Sequence, residues 1–185
     1  VESTVPGNAA GNYTVVRTFT ATDDSGNATT LAQTITVEDT TAPELTIPGN
    51  FVVECSDAID LDLGTATDNC GAVTISVSDE TIAGSSIGTY LIVRTHTASD
   101  DAGNSSSSVQ TITVIDTTAP ELSIPSDYSV ECSDEIVLAD ATSTDNCGTS
   151  TVAIASQTVA GNAAGNYTIV RTFTASDDAG NTTTS

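Results

Sequence analysis

Few residues in this chain could do covalent or acid–base chemistry. Gly84-Ser85-Ser86-Ile87-Gly88 fits the G-x-S-x-G pattern that presents a nucleophilic serine on a sharp strand-to-helix turn. Two sibling windows, Gly7–Gly11 and Gly161–Gly165, both read Gly-Asn-Ala-Ala-Gly, and a strand pattern rather than a helix follows Gly88. A serine replaced by alanine in its own siblings is no nucleophile, so the window is read as a loop. His96, the sole histidine, takes the slot that Phe19 and Phe173 fill elsewhere, which makes it a half-exposed packing residue. Acid pairs stand at Asp23-Asp24, Asp100-Asp101 and Asp177-Asp178, and such regular recurrence is the behaviour of scaffold. No enzymatic activity is expected.

Cys55, Cys70, Cys132 and Cys147 are the remaining reactive groups. Four cysteines allow three pairings. The spacing of 15 residues from Cys55 to Cys70 returns from Cys132 to Cys147, so repeat equivalence favours Cys55–Cys70 and Cys132–Cys147. Zinc is the rival reading, but two thiolates without a nearby histidine supply only half a structural site. Closing a loop of this length stabilises a domain by roughly 3 kcal/mol, and domains below about 80 residues commonly need such a staple. Paired cysteines imply an oxidising compartment.

These recurrences share one source. Residues 37–48 read VEDTTAPELTIP and residues 114–125 read VIDTTAPELSIP, 77 positions later. The same shift carries Val16-Arg17-Thr18 to Val93-Arg94-Thr95 and Val170-Arg171-Thr172, and Gly26-Asn27 to Gly103-Asn104 and Gly180-Asn181. A fixed period this long indicates tandem small domains, since solenoid periods run at about 20–50 residues. The expected organisation is the C-terminal part of one repeat (1–38), a complete repeat (39–115) and a repeat lacking its last strand (116–185), a window on a longer polymer.

The formal net charge is −22, with 25 acids against three arginines and no lysine. Such a chain repels nucleic acid and anionic lipid, so neither is a partner; divalent cations and salty surroundings suit it better. High charge accompanies disorder in some chains, but here 38% of residues are hydrophobic and they alternate with polar ones. No apolar run approaches the roughly 20 residues that span a bilayer, and no signal peptide is visible. Arg17, Arg94 and Arg171, one per repeat, are expected to pair with an acid such as Glu54 or Glu131 of the Val-Glu-Cys strand.

The elements that must position these residues are strands. Ile59-Asp60-Leu61-Asp62-Leu63 alternates as a half-buried strand does. Val73, Ile75 and Val77 share one face, and Ile112 and Val114 oppose Thr111 and Thr113. The runs 90–99 and 108–115 flank Asp101-Ala102-Gly103-Asn104, a turn suited to a hairpin. About seven short strands per period predict an all-β fold of small antiparallel sandwiches. Pro43, Pro48, Pro120 and Pro125 mark an edge strand and a stiff entry to each copy.

Asp-Asn-Cys-Gly (68–71 and 145–148), Ala-Ser-Asp-Asp-Ala-Gly-Asn (98–104 and 175–181) and Asp-Thr-Thr-Ala-Pro-Glu-Leu together resemble the hyalin-repeat (HYR-type) immunoglobulin-like domains. The nearest flavour is that of long secreted Bacteroidota adhesins, including SprB-type gliding adhesins, and the resemblance covers the whole chain. Many hyalin repeats carry a further cysteine where this chain has Ser107 and Thr182-Thr183, so no second disulfide per repeat is expected. The resemblance implies tandem immunoglobulin-like sandwiches in a beads-on-a-string array. In such a sandwich the loop holding Asp68 and Asn69 and the hairpin tip holding Asp100, Asp101 and Asn104 gather beside the incoming Asp39, with Glu44 close by. The next joint would use Asp116, Glu121, Asp145, Asn146, Asp177, Asp178 and Asn181.

Such a joint could supply the six to eight oxygens that calcium takes, a layout similar to cadherin linkers, which also set an acid ahead of Ala-Pro. The plainer account is that Asp and Asn are turn formers; no EF-hand spacing is present. Thr40 and Thr117 lie in Asp-Thr-Thr, which looks like the O-glycosylation signal of Bacteroidota, while Asn12, Asn27, Asn104, Asn166 and Asn181 fit N-x-Ser/Thr but serve turns more economically. The expected function is a structural repeat segment of an extracellular bacterial filament, stalk or adhesin at the cell surface. Its partners would be neighbouring repeats and covalent glycans, and its cofactor structural Ca2+. The alternatives are carbohydrate-binding accessory repeats of a secreted enzyme, which the absence of Trp disfavours, and a polymer joined by strand exchange.

Overall fold

The computed structural model describes Val1–Ser185 and is all-β, with no helix. Its strands are β1 (Glu2–Pro6), β2 (Tyr13–Thr22), β3 (Ala28–Val37), β4 (Glu44–Thr46), β5 (Phe51–Glu54), β6 (Thr65–Thr67) and β7 (Val73–Ala83). There follow β8 (Tyr90–Asp100), β9 (Ser105–Ile115), β10 (Glu121–Ser123), β11 (Thr142–Thr144), β12 (Ser150–Ala160), β13 (Tyr167–Asp177) and β14 (Thr182–Thr184). They form five sheets, ordered β1-β2-β3, β4-β6, β5-β9-β8-β7, β10-β11 and β12-β13-β14. β10, β11, β12 and β13 begin 77 residues after β4, β6, β7 and β8, at 121, 142, 150 and 167 against 44, 65, 73 and 90. No helix is long and apolar enough to cross a membrane.

Two compact units divide the chain. One holds Val1–Asn50, Asp60–Glu80 and Val93–Thr111; the other holds Phe51–Ile59, Thr81–Ile92 and Ile112–Ser185. β7, β8 and β9 contribute residues to each.

Period-two patterning produces the buried layer. On β8, Ile92, Arg94, His96 and Ala98 are buried while their neighbours are half-buried; on β9 the buried residues are Gln110, Ile112 and Val114. Val73, Ile75 and Val77 are half-buried and alternate with exposed Thr74, Ser76 and Ser78, as expected. Polar groups inside this layer need partners and find them only in part: Arg94 Nε, His96 Nε2 and Gln110 Oε1 are buried without one. Gln110 Nε2 donates to the Gly49 carbonyl at 2.9 Å, and His96 Nδ1 sits 3.0 Å from the Leu63 carbonyl oxygen. His96 is therefore a packing residue but wholly buried (0% exposed), not half-exposed.

The predicted hairpin forms between β8 and β9. Asp100 N donates to the Asn104 carbonyl at 3.1 Å, and Gly103 takes the left-handed φ of 97° that a side chain would resist. Gly84–Gly88 is a loop between β7 and β8, closed by Gly84 N to Thr89 O at 2.9 Å.

Several expectations are corrected. Ile59–Leu63 forms no strand and lies in no sheet; Leu63 gives its carbonyl to His96 instead of to a ladder. Six strands, β4 to β9, occupy Glu44–Ile115 rather than seven, and the pairing is not purely antiparallel, because β5 runs parallel to β9. The crossover before β5 is fastened to β9 by Thr111 N donating to Asn50 Oδ1 at 2.8 Å, which sets the strand alongside in that direction.

The arginines pair with neither Glu54 nor Glu131. Arg94 reaches Asp79 at 3.1 Å, and Arg17 reaches Glu2, directly opposite it across the ladder, at 3.6 Å. The same register sets Ser156 opposite Arg171, so that arginine turns to the Ala139 carbonyl and to Asp140 at 3.8 Å. Where the facing residue is an acid, as for Arg17, it is the partner; Arg171, which faces a serine, takes an acid from outside the ladder.

The disulfide is also corrected. Cys55 bonds Cys147, 92 residues away, with Cα atoms 5.9 Å apart, while Cys70 and Cys132 are free thiols. The pairs Cys55–Cys70 and Cys132–Cys147 do not form. Cys55 N donates to the Ile115 carbonyl at 2.8 Å, which holds the turn after β5 beside Asp116, and Cys147 arrives at that same residue. Cys70 instead packs against Gly11.

Candidate functional site

Two clusters of three carboxylates form, one in each unit. The first takes Asp39 from the segment after β3, Asp68 from the loop after β6 and Asp100 from the end of β8. The second takes Asp116, Asp145 and Asp177 from the corresponding places after β9 and β11 and at the end of β13. In each cluster one carboxylate oxygen per residue lies within 4.8 Å of the other two. Asp39 and Asp116 are buried, each 9% exposed, which is uncommon for an aspartate without a cation beside it.

Local turn chemistry places every member. Asp39 Oδ1 accepts from Thr41 N at 3.1 Å, Asp68 Oδ1 from Cys70 N at 2.8 Å, and Asp100 Oδ1 from Gly103 N and Asn104 N at 2.7 and 2.9 Å. The second cluster repeats the scheme: Asp116 Oδ1 accepts from Thr118 N at 3.1 Å, Asp145 Oδ2 from Cys147 N at 2.9 Å, and Asp177 Oδ1 from Gly180 N and Asn181 N at 2.6 and 2.8 Å. These are the Asx turns that such residues make. They leave one oxygen conspicuous in each cluster, since Asp68 Oδ2 and Asp145 Oδ1 are buried with no hydrogen-bond partner. An orphaned carboxylate oxygen out of contact with water is costly unless something positive meets it.

The asparagines act as braces. Asn104 Nδ2 donates to Asp100 Oδ2 at 2.9 Å and to the Asp39 carbonyl at 3.2 Å; Asn181 Nδ2 does the same for Asp177 and Asp116 at 2.9 and 3.3 Å. Hairpin tip and linker are thereby tied together. Asn69 and Asn146 direct their amides at Cys70 Sγ and Cys147 Sγ, at 3.2 and 3.0 Å. Asp101 and Asp178 lie outside the carboxylate groups, as do Glu44 and Glu121 at the starts of β4 and β10. Asp178 Oδ2 accepts from Thr149 Oγ1 at 2.7 Å. Consecutive residues at a strand end point opposite ways, so Asp100 faces the cluster and Asp101 does not.

Electrostatics divides the acids. Burial pushes the Asp100 and Asp177 carboxyls up, but the bonds from Asn104 and Asn181 and from the hairpin N–H groups outweigh it and hold both below the usual range. Asp116 goes the other way: burial raises it, Thr118 N–H opposes, and the charges of Asp145, Asp177 and Glu54 raise it further. The Cys70 thiol is pushed up by burial and then by Asp39, Asp68 and Asp100. A divalent cation among these carboxylates would oppose their upward push with a downward one of its own.

The chemistry of this donor set fits calcium. Oxygens bound to one calcium at 2.3–2.6 Å can lie at most about 5 Å apart, and the ion takes hard oxygen ligands, with backbone carbonyls and water completing six to eight. Asp39, Asp68 and Asp100 would hold one ion, and Asp116, Asp145 and Asp177 another. A third acidic group, Glu54 and Asp116 beside Cys55 and Cys147, is no metal site: its sulfurs are bonded to each other, and Glu54 is occupied.

That occupation of Glu54 was missed in the sequence. Its carboxylate accepts from Thr117 N at 2.8 Å, Thr117 Oγ1 at 2.9 Å and Thr118 Oγ1 at 3.0 Å. The usable signal was that Val-Glu-Cys and Asp-Thr-Thr, an acceptor and a donor motif, both recur with the repeat. Of the expected glycosylation positions, Thr40 and Thr117 are exposed, and the Thr117 hydroxyl is engaged by Glu54. The chain matches no protein-family model and no curated protein.

Proposed function

We propose that the chain is a structural repeat segment of an extracellular bacterial filament, stalk or adhesin, built of tandem immunoglobulin-like sandwiches and carrying structural calcium where one repeat passes into the next. The observation that carries this reading is the duplication of one site. Linker, loop and hairpin tip each send an aspartate to a common point, and the arrangement returns 77 residues later with its hydrogen bonds and its orphaned oxygen intact. Turn formation alone accounts for the Asx bonds; it does not account for three carboxylates meeting and for Asp68 Oδ2 and Asp145 Oδ1 buried without partners.

Calcium at these points would fasten the linker to the loops on either side of it. A surface filament needs that fastening, because an unbraced linker lets neighbouring domains swing and invites proteolysis. The disulfide supports an oxidising compartment. Calorimetric titration of metal-free protein tests the reading: two calcium ions per chain are expected, one per cluster, with a higher melting temperature in calcium than in chelator.

A further inference from the structure

We infer that the free thiols Cys70 and Cys132 are the two halves of a disulfide made between copies of this repeat, Cys132 of one copy bonding the Cys70 position of the copy that follows it. This stands on the spacing of the cysteines and the contacts around them and does not depend on the calcium reading.

The observed bond sets the rule. Cys55 and Cys147 are 92 residues apart, which is one 77-residue period plus the 15-residue spacing of the cysteines within a repeat. The first cysteine of a repeat therefore bonds the second cysteine of the next. Under that rule the partner of Cys132 is the second cysteine of a following copy, and the partner of Cys70 is the first cysteine of a preceding one.

Both free residues already hold the conformation of their bonded counterparts. Around Cys132, Asp134 N donates to the Glu131 carbonyl at 3.0 Å, as Asp57 N does to the Glu54 carbonyl, also at 3.0 Å, around Cys55. Cys70 N and Cys147 N each bond the aspartate two residues back, at 2.8 and 2.9 Å. Their sulfurs meet Asn69 Nδ2 and Asn146 Nδ2 at 3.2 and 3.0 Å. A Cβ added to Gly11 would stand 2.9 Å from Cys70 Cβ; one added to Gly88 would stand 3.1 Å from Cys147 Cβ. Cys70 thus rests on the loop of the repeat before it just as Cys147 does.

The polar contact beside the bond extends the match. Glu54, adjacent to Cys55, binds Thr117 and Thr118. Glu131 stands next to Cys132 in the same way, and Thr40 and Thr41 stand before Cys70, all exposed. The partner surface is therefore a Glu-Cys turn on one copy and an Asp-Thr-Thr linker with an Asp-Asn-Cys-Gly loop on the other.

The bond forms by exchange. A low-molecular-weight disulfide takes one thiolate into a mixed disulfide and releases one reduced thiol. The thiolate of the second copy then attacks the protein sulfur and expels the other small thiol, so two protein thiols are oxidised and one small disulfide is reduced.

The test uses the 185-residue chain with oxidised glutathione under non-denaturing conditions, followed by non-reducing electrophoresis and disulfide mapping by mass spectrometry. Oxidation should give a head-to-tail ladder whose new linkage is Cys132–Cys70 between chains. Cys70→Ser and Cys132→Ser variants should each form little dimer alone and a heterodimer when mixed. Glu131→Ala should slow the cross-link about tenfold, the equivalent of one charge-assisted hydrogen bond, whereas random thiol oxidation would not change. Cys132–Cys132 or Cys70–Cys70 dimers of equal yield, or Cys70–Cys132 closure within one chain, would overturn the inference. A longer chain carrying a further repeat separates the sources: closure within that chain means consecutive repeats, and a ladder means separate molecules. Failure here leaves the carboxylate clusters and their cation untouched.

Discussion

The two acidic clusters are built alike but fastened differently. Asp39, Asp68 and Asp100 are joined only by the hairpin brace of Asn104 and by Asn12 Oδ1, which accepts from Asp39 N at 2.6 Å. Asp116, Asp145 and Asp177 have the equivalent Asn181 brace, and beside it the Cys55–Cys147 bond and the Glu54 carboxylate with its three hydrogen bonds. The comparison separates two devices. Carboxylate convergence needs only the turns of the following copy and its linker, whereas the sulfur and glutamate staple needs the Glu-Cys turn of the copy before.

Breaking the staple has the largest expected effect. Cys147→Ser or reduction should destabilise the chain by about 4.6 kcal/mol, the chain-entropy value for so long a loop, read as a fall in the urea midpoint. Cys70→Ser, at the counterpart position, should leave that midpoint nearly unchanged. A comparable loss from both would mean that Cys70 does more than wait for a partner.

The next effect should distinguish the clusters by cation. Asp68→Asn should abolish calcium uptake at the first cluster alone, and Asp145→Asn at the second alone, each lowering the calorimetric stoichiometry by one ion and removing the calcium-dependent part of the melting shift.

Acid should act on the second region with two opposed signs. Thr117 N–H foremost, with the Thr117 and Thr118 hydroxyls, holds Glu54 below its ordinary 4.5 against the upward push of burial. Its contribution is complete above that ordinary value and disappears as pH falls through the lowered folded value. Asp116 is raised in the fold, so its charge opposes folding at neutral pH, and that opposition is relieved as pH falls through its raised value. In chelator, Glu54→Gln should flatten the acid limb of stability measured from about pH 3 to 7, and Asp116→Asn should make it steeper.

The smallest effects come from the glycines under the loop cysteines. Gly11 and Gly88 both have φ of 79°, so an alanine at each carries the left-handed penalty of about 1–2 kcal/mol. At Gly88 the new methyl would also press on the backbone carbonyl of the bonded Cys147, while at Gly11 it meets Cys70. Gly88→Ala should therefore lower the melting temperature more than Gly11→Ala.

What could be read from the sequence was mostly what is decided within a few residues. The Asp100–Asn104 tip was legible because its bonds run from residue i to i+3 and i+4. The inward set Ile112 and Val114 was legible because period-two burial leaves its mark in hydrophobicity. Ile59–Leu63 carries the same mark and forms no strand, and although Ile59 and Leu61 are half-buried Leu63 is exposed; alternation says nothing about whether a ladder partner exists. The cysteine pairing was illegible for a sharper reason: shifting by one period maps Cys55–Cys70 onto Cys132–Cys147 and maps Cys55–Cys147 onto an equally regular series. Repetition alone cannot choose between bonds within repeats and bonds between them. The arginine partners needed the register; once Glu2 faces Arg17, the choice follows.

The central claim is that each cluster is a cation site. Isothermal titration of calcium into chelator-treated protein tests it most directly. Two ions per chain, falling to one in Asp68→Asn and one in Asp145→Asn, is the predicted result. No heat of binding, together with the same melting temperature in calcium and in chelator, would contradict it.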